Sequence, residues 1–175
     1  MNNNKITGVV NGTDPNDAIN KSQLDIFETK LNYFAYTRFL KHTNQSYVNF
    51  PSINEWYMKS PIPFELVSND NTLFRINLNG WYHIIYTDNI INGGNFTIQN
   101  QFNGSYVYEN KLPKTNNYIP MTINAIVKFI NIGSNTDHVD IRLRVRKINR
   151  RSSDPDPKLK GSGFSTFFIK YLGSN

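Results

Sequence analysis

The chain has 175 residues, a formal net charge of +6 and no cysteine, so neither disulfides nor thiolate metal sites are open to it. Only 38% of the residues are apolar, yet 14% are aromatic, with 10 Tyr and 12 Phe, which suits a core built from sheets. Charged residues make up 18%, and the polar remainder is rich in Asn, Ser and Thr, a balance that fits an extracellular or virion surface better than a cytosolic enzyme.

No run of about 18 apolar residues occurs, so no membrane-spanning helix and no membrane insertion are expected. The opening Met1-Asn2-Asn3-Asn4-Lys5 lacks the apolar stretch of a secretory signal, which favours a virion protein over a secreted one. Residues 1–13 read as an extended arm, with Gly8 and Gly12 and no periodicity. Asp14-Pro15 then marks a helix start, because Asp14 can cap the free N–H groups and Pro15 has none to leave unsatisfied. Asp17 adds negative charge where the helix dipole is positive. From there Leu24, Phe27, Leu31 and Phe34 recur at steps of three, four and three, an a/d seam that predicts a helical stalk over 14–45, decaying between Arg38 and His42. Such a helix is marginal alone in water, so the seam needs other copies of the chain or the body of its own subunit.

The run Gly12-Thr13-Asp14-Pro15-Asn16-Asp17-Ala18-Ile19-Asn20-Lys21-Ser22-Gln23-Leu24 resembles the G-T-x-x-x-D-A-V-N-x-x-Q-L joint of trimeric fibres. Such joints occur in bacteriophage tail and head fibres and in the necks of trimeric autotransporter adhesins. The resemblance implies that three chains hand over here from extended strands to a three-stranded helical bundle.

Past Tyr47 the period changes from helical to alternating. Strands are predicted at Tyr47–Phe50, Pro63–Val67, Thr72–Leu78, Gly80–Thr87, Asn95–Gln101, Ser105–Glu109, Met121–Phe129, Val139–Lys147 and Gly163–Tyr171, separated by turn pairs such as Asn79-Gly80, Gly93-Gly94 and Asn103-Gly104. The sum, over 46–175, is an antiparallel jelly-roll sandwich of roughly eight to ten strands. Within it, Leu73-Phe74-Arg75-Ile76-Asn77-Leu78-Asn79-Gly80-Trp81-Tyr82-His83-Ile84 resembles the F-x-V-x-x-x-G-x-Y-x-I strand pair of C1q and tumour-necrosis-factor heads. The ending from Gly161 to Gly173 is similar to their closing S-x-F-x-G-F-L-I strand, although Thr166 stands where that family often carries Gly. Neighbouring side chains on a strand point to opposite sides, so one of Phe167 and Phe168 enters the core. The resemblance implies that the other lies at a three-fold axis.

Little in the sequence points to catalysis. His42, His83 and His138 are far apart and share no metal or triad spacing, and no glycine-rich phosphate loop precedes a helix. Asp154-Pro155-Asp156-Pro157 is the one close carboxylate pair, either a calcium site at a head apex or a stiff solvated loop. In Asp140-Ile141-Arg142-Leu143-Arg144-Val145-Arg146 the apolar residues share one face and the arginines the other. That arginine face, continued by Arg150 and Arg151, either meets a phosphate- or carboxylate-bearing polymer or is a solvated strand paired with Glu109 or Asp88. No aromatic residues interleave the arginines along the strand, which argues against nucleic acid. Tyr106, Tyr108 and Tyr118 are further candidates for a receptor-facing end.

The expectation is therefore a non-enzymatic, homotrimeric fibre or spike protein of a virion surface, with no cofactor and no metal. Residues 1–13 would dock on a capsid or tail protein, and the jelly-roll head would meet a host receptor or glycan. The alternative is a secreted or cell-surface binding module of the C1q or adhesin kind.

Overall fold

From Tyr33 onward aromatic and β-branched residues alternate with polar ones, and the computed structural model turns that alternation into strands. The structure describes residues 8–14, 17–25, 33–38, 40, 46–51, 56–58, 63–67, 70–101, 104–130, 138–147, 155–161 and 165–174. The strands are β1 Phe34–Arg38, β2 Trp56–Met58, β3 Phe64–Leu66, β4 Phe74–Ile76, β5 Gly80–Ile91, β6 Gly94–Asn100, β7 Tyr106–Leu112, β8 Ile119–Phe129, β9 Val139–Arg146, β10 Lys158–Leu159 and β11 Thr166–Gly173.

They form two antiparallel sheets. In the first, β2 pairs β1, β1 pairs β11, and β11 pairs β5 over Trp81–Thr87. Strand β8 runs along the opposite edge of β5 from Gly80 to Ile90, and β10 continues the β11 side at Ile90 and Ile91. The second sheet runs β3-β4-β9-β6-β7. Sequence neighbours β5 and β6 thus lie in different sheets, as do β8 and β9, which is the double Greek key of a jelly roll. The jelly-roll expectation is met. At the β5–β6 crossing, Gly93 has φ +54 and a Cβ there would sit 1.9 Å from the Pro113 carbonyl oxygen, so only glycine fits the turn.

Alternation puts Tyr82, Ile84, Tyr86 and Ile90 of β5, Ile123, Ala125 and Val127 of β8, and Ile141, Leu143 and Val145 of β9 in the space between the sheets. Phe167 is fully buried at its centre. Its ring meets Phe50 at 5.1 Å, Phe74 of β4 at 5.4 Å and Trp56 of β2 at 5.7 Å, so it ties β11 to both layers. One carboxylate also enters this interior. Asp88 accepts the Tyr86 hydroxyl at 2.7 Å and the Gly161 amide at 3.2 Å, anchoring the chain beside β10. Burial, and then the Asp88 charge, push the Tyr86 hydroxyl well above the usual tyrosine range.

The amino-terminal third departs from the predicted stalk. Among the described residues only 21–25 are helical, and Phe34–Arg38 is strand β1. The reason is local: Ala35 and Thr37 are buried while Phe34 and Tyr36 face outward, a period of two that β11 and β2 complete with main-chain hydrogen bonds. Phe34 therefore belongs to the sandwich and not to a helical seam, and the head begins before residue 46. Phe27 and Leu31 of the predicted seam lie outside the described residues.

The helix starts at Asn20 instead of Asp14. Asn20 Oδ1 accepts the Gln23 amide at 2.9 Å while Gln23 Oε1 accepts the Asn20 amide at 3.3 Å, a reciprocal capping box. The same Gln23 side chain accepts from the Gly12 amide and donates to the Gly12 carbonyl, both at 3.1 Å. Asp17 turns the opposite way. Its carboxylate accepts the Thr13 and Asp14 amides at 2.8 and 2.9 Å, and the Asp14 and Thr13 hydrogen bonds hold it below the usual carboxylate range.

Replacing Phe167 by Ser should abolish the native β-sheet circular dichroism or lower its thermal midpoint steeply. Emptying a buried aromatic position costs about 3–5 kcal/mol, a large part of a domain's stability. Phe168→Ser should keep the native spectrum. Equal damage from both would contradict the register that sends Phe167 inward.

Candidate functional site

Burying one side of each sheet leaves two outer faces, and their chemistry differs. On the β2-β1-β11-β5-β8 sheet one cross-strand row reads Tyr57, Tyr36, Phe168, Ile85, Asn124. The next reads Phe34, Lys170, His83, Ile126. Phe168 is half-buried, its ring 6.1 Å from both Phe34 and His83, and Phe34 lies 5.5 Å from Tyr57. Tyr57 and Ile126 are about 60% exposed, at 60% and 62%, so this aromatic face has no cover within the described chain. Of the two neighbouring phenylalanines of the closing strand, Phe167 is the one that enters the core and Phe168 the one on the outside.

The outer face of the other sheet is built on β9. Arg142, Arg144 and Arg146 alternate with buried Ile141, Leu143 and Val145, as expected from the sequence. Aromatic rings do lie among these arginines, although none interleaves them along the strand. Tyr47, remote in sequence, bridges to Arg144 and lays its ring 4.9 Å from the Arg144 guanidinium and 5.1 Å from that of Arg142. Tyr106 of β7 does the same for Arg146 at 4.7 Å. Each contact is within cation–π range. Tyr47 was expected to start a strand over Tyr47–Phe50. Instead residues 46–48 form a short bridge, with the Val48 amide donating to Leu143 O at 3.0 Å and Ser46 O accepting from the Val145 amide at 2.8 Å. No local sequence signal marks Tyr47, because its partner is 97 positions away.

The charges on this face are unequally matched. Arg75 is held by Asp140 at 2.8 Å, and that hydrogen bond, against partial burial, raises its pKa. Arg142 meets Asp70 at 3.1 Å. Partial burial works against the Asp70 charge, but hydrogen bonds from the Thr72 hydroxyl and amide, at 2.6 and 2.8 Å, and the Arg142 charge outweigh it and lower the Asp70 pKa. Arg144 and Arg146 have no carboxylate within 4.0 Å among the described residues. The anticipated partners are engaged elsewhere: Asp88 is in the core, and Glu109 accepts the Asn95 side-chain amide. Opposite Arg144, Thr97 lies on the outward side of β6 yet is fully buried, and its hydroxyl has no partner. The Nε atoms of Arg142 and Arg144 are likewise buried and unpaired. Each such group costs roughly 1–3 kcal/mol unless something satisfies it, so the face carries a group of buried, unsatisfied polar atoms.

The remaining candidates do not join this cluster. Tyr108 pairs with Ile98 and packs against the core, while Tyr118 leads into β8 and lies under Lys160 at 5.4 Å. Arg150, Arg151, Asp154 and His42 lie outside the described residues. His83 hydrogen-bonds Asn124 at 2.7 Å and His138 stands 3.8 Å from Asp140. Among the described residues no group of His, Asp or Glu side chains is arranged to hold a metal ion.

No family model matches the sequence, and no curated protein sequence matches it either. Among solved structures the chain is similar to rabbit GITRL, with a TM-score of 0.44 and 16% identity over 82% of this chain and 96% of that one. It is also similar to pika GITRL (TM-score 0.42, 18% identity, 82% and 99% covered) and to Eiger TNF from S. frugiperda (TM-score 0.42, 11% identity, 82% and 94% covered). The jelly-roll assignment rests on the strand order itself.

Asp70→Asn should cost about 0.5–1 kcal/mol at pH 7 by urea unfolding, the scale of a solvent-screened ion pair. Because the folded-state pKa of Asp70 is depressed, its contribution is complete above the unfolded carboxylate pKa of about 3.9. It is lost as pH falls through the folded value. The gap between the two proteins should therefore close in acid, and a gap that persisted below both values would remove Asp70 as its source.

Proposed function

We propose that this chain is one subunit of a homotrimeric binding protein, which attaches and does not catalyse. The observation that carries the reading is the uncovered aromatic outer face of the β2-β1-β11-β5-β8 sheet, centred on Phe168. Large apolar faces on a soluble chain favour an interface, and a closed symmetric oligomer is the usual way to cover one. Three copies, and not two, follow from the resemblance of the closing strand to C1q and tumour-necrosis-factor heads and of the Gly12–Leu24 run to trimeric fibre joints.

Within that class we favour a virion surface fibre, of head or tail, whose residues 1–13 dock on a capsid or tail protein and whose head meets a host receptor or glycan. The joint supports this. Gly12, Asp17, Asn20 and Gln23 are used up in folding the segment on itself, while Val9, Val10, Ile19 and Leu24 are left 42%, 82%, 71% and 47% exposed. Those apolar side chains are what a second and third chain would cover. A secreted or cell-surface C1q-like or adhesin-type module shares the fold and the trimer, but gives residues 1–13 no virion to join.

Sedimentation equilibrium of the full chain should give a trimer mass, and Phe168→Ser should shift it toward the monomer while its β-sheet spectrum persists. A chain begun at residue 33 keeps β1 and separates the head's contribution from the joint's. A monomeric wild type would sink the proposal. The fibre reading has its own test: deleting residues 1–13 should leave the trimer intact but absent from purified virions of the parent phage, and full occupancy by the truncated chain would exclude the arm as anchor.

A further inference from the structure

We infer that the outer face of the β3-β4-β9-β6-β7 sheet is a binding site for a polyhydroxyl polymer that repeats an oxyanion along its length, a sugar or polyol chain bearing carboxylates or phosphates. This names a ligand for the binding module proposed above and rests on that reading for its setting only.

Three observations converge on one row of the sheet, Tyr47, Arg144, Thr97 and Glu109, read across the strands. First, Arg144 and Arg146 carry charge that no carboxylate among the described residues neutralises, whereas Arg75 and Arg142 beside them are matched by Asp140 and Asp70. The matched pairs hold the face together, and the unmatched pair is left for a ligand. Second, the two guanidinium groups are positioned in advance. Tyr47 and Tyr106 hold them at 4.9 and 4.7 Å, so the freedom that a long arginine normally loses on binding is already gone. Third, the Thr97 hydroxyl, on the cross-strand partner of Arg144, and the Nε atoms of Arg142 and Arg144 are buried and unpaired, so a small shift of the arginine side chains toward a bound oxyanion would give these groups the partner they lack.

The shape of the site selects a polymer. Arginines two residues apart on a strand repeat at about 6.8 Å, a ladder suited to charges that recur along a chain and not to one compact anion. The outward Asn95 and Gln99, cross-strand partners of Arg146 and Arg142, line the ladder with amide groups suited to hydroxyls. Nucleic acid is disfavoured by the same tyrosines. Bases need free aromatic planes to stack on, and here the Tyr47 ring is engaged by two guanidiniums and the Tyr106 ring by a third. Glu109, at the edge of the row, is turned to Asn95 and leaves the centre basic.

The test uses the full chain and four probes in titration calorimetry at physiological salt: poly(glycerol phosphate), alginate, neutral dextran and single-stranded oligo(dT). Poly(glycerol phosphate), alginate or both should bind and dextran should not; which of the two binds identifies the anion. Arg144→Gln with Arg146→Gln should weaken binding at least tenfold. Tyr47→Leu should weaken it severalfold although no charge is removed, which separates a built site from general basicity. Lys158→Gln with Lys160→Gln removes the same charge from β10 and its neighbour and should change binding less than twofold. The inference is overturned if neither anionic polymer binds, if oligo(dT) binds as tightly as they do, or if the lysine pair matters as much as the arginine pair. The assay reads binding whatever the oligomeric state, so its failure would leave the trimer standing and a monomeric chain would leave this site standing.

Discussion

Everything in this fold depends on the closing strand having two aromatic neighbours that cannot point the same way. Phe167 goes inward and becomes the contact through which β11 grips Phe50, Trp56 and Phe74, so that one ring joins both layers. Phe168, one residue on, is then forced outward beside Phe34 and His83. A polar residue at 168 would satisfy the sandwich equally well. That an aromatic side chain stands there, on a face where Tyr57, Tyr36 and Ile85 share its row, means that the outside of this sheet answers to a constraint other than the stability of one subunit.

The opposite sheet answers to a different one. Its outward positions carry Arg75, Arg142, Arg144 and Arg146 with Asp70 and Asp140, and its aromatics serve to position cations. The contrast follows from strand chemistry. A half-buried strand has a core face set by packing and a free face open to selection, and the two sheets of a sandwich give two free faces pointing apart. One is rich in aromatic side chains and the other basic, so assembly and recognition can occupy opposite sides of one small head without competing for residues.

Much of this was legible in the sequence, for a physical reason. The period of two in Gly80–Thr87, Met121–Phe129 and Val139–Lys147 is a local signal, and those strands lie where the sequence places them, with β5 and β8 each running somewhat longer. Strand β1 was hidden because Leu24, Phe27, Leu31 and Phe34 also satisfy a helical seam. The deciding facts, that Ala35 and Thr37 are buried and that β11 pairs with them, come from residues about 130 positions downstream. The arginine face was visible as a strand pattern, but its tyrosines were not. Tyr47 and Tyr106 reach the arginines through pairing across the sheet, and no spacing along the chain encodes that. Asp70 and Thr97 were missed for the same cause.

The motif residues of the joint are explained within one chain: a Cβ on Gly12 would lie only 2.8 Å from Asp17 Cβ, Asn20 and Gln23 cap the helix, and Asp17 closes the preceding turn. The polar motif therefore says how the segment bends, and only its exposed apolar side chains speak to a partner. If three such segments and three Phe168 faces meet around one axis, the three arginine faces necessarily look outward. A ladder that binds a repeating anion weakly then acts three times on one polymer-coated surface, and once one face is engaged the others see a high effective concentration of ligand. Attachment would be gained from symmetry and not from a deep pocket, which agrees with a head whose candidate binding residues lie on an open sheet.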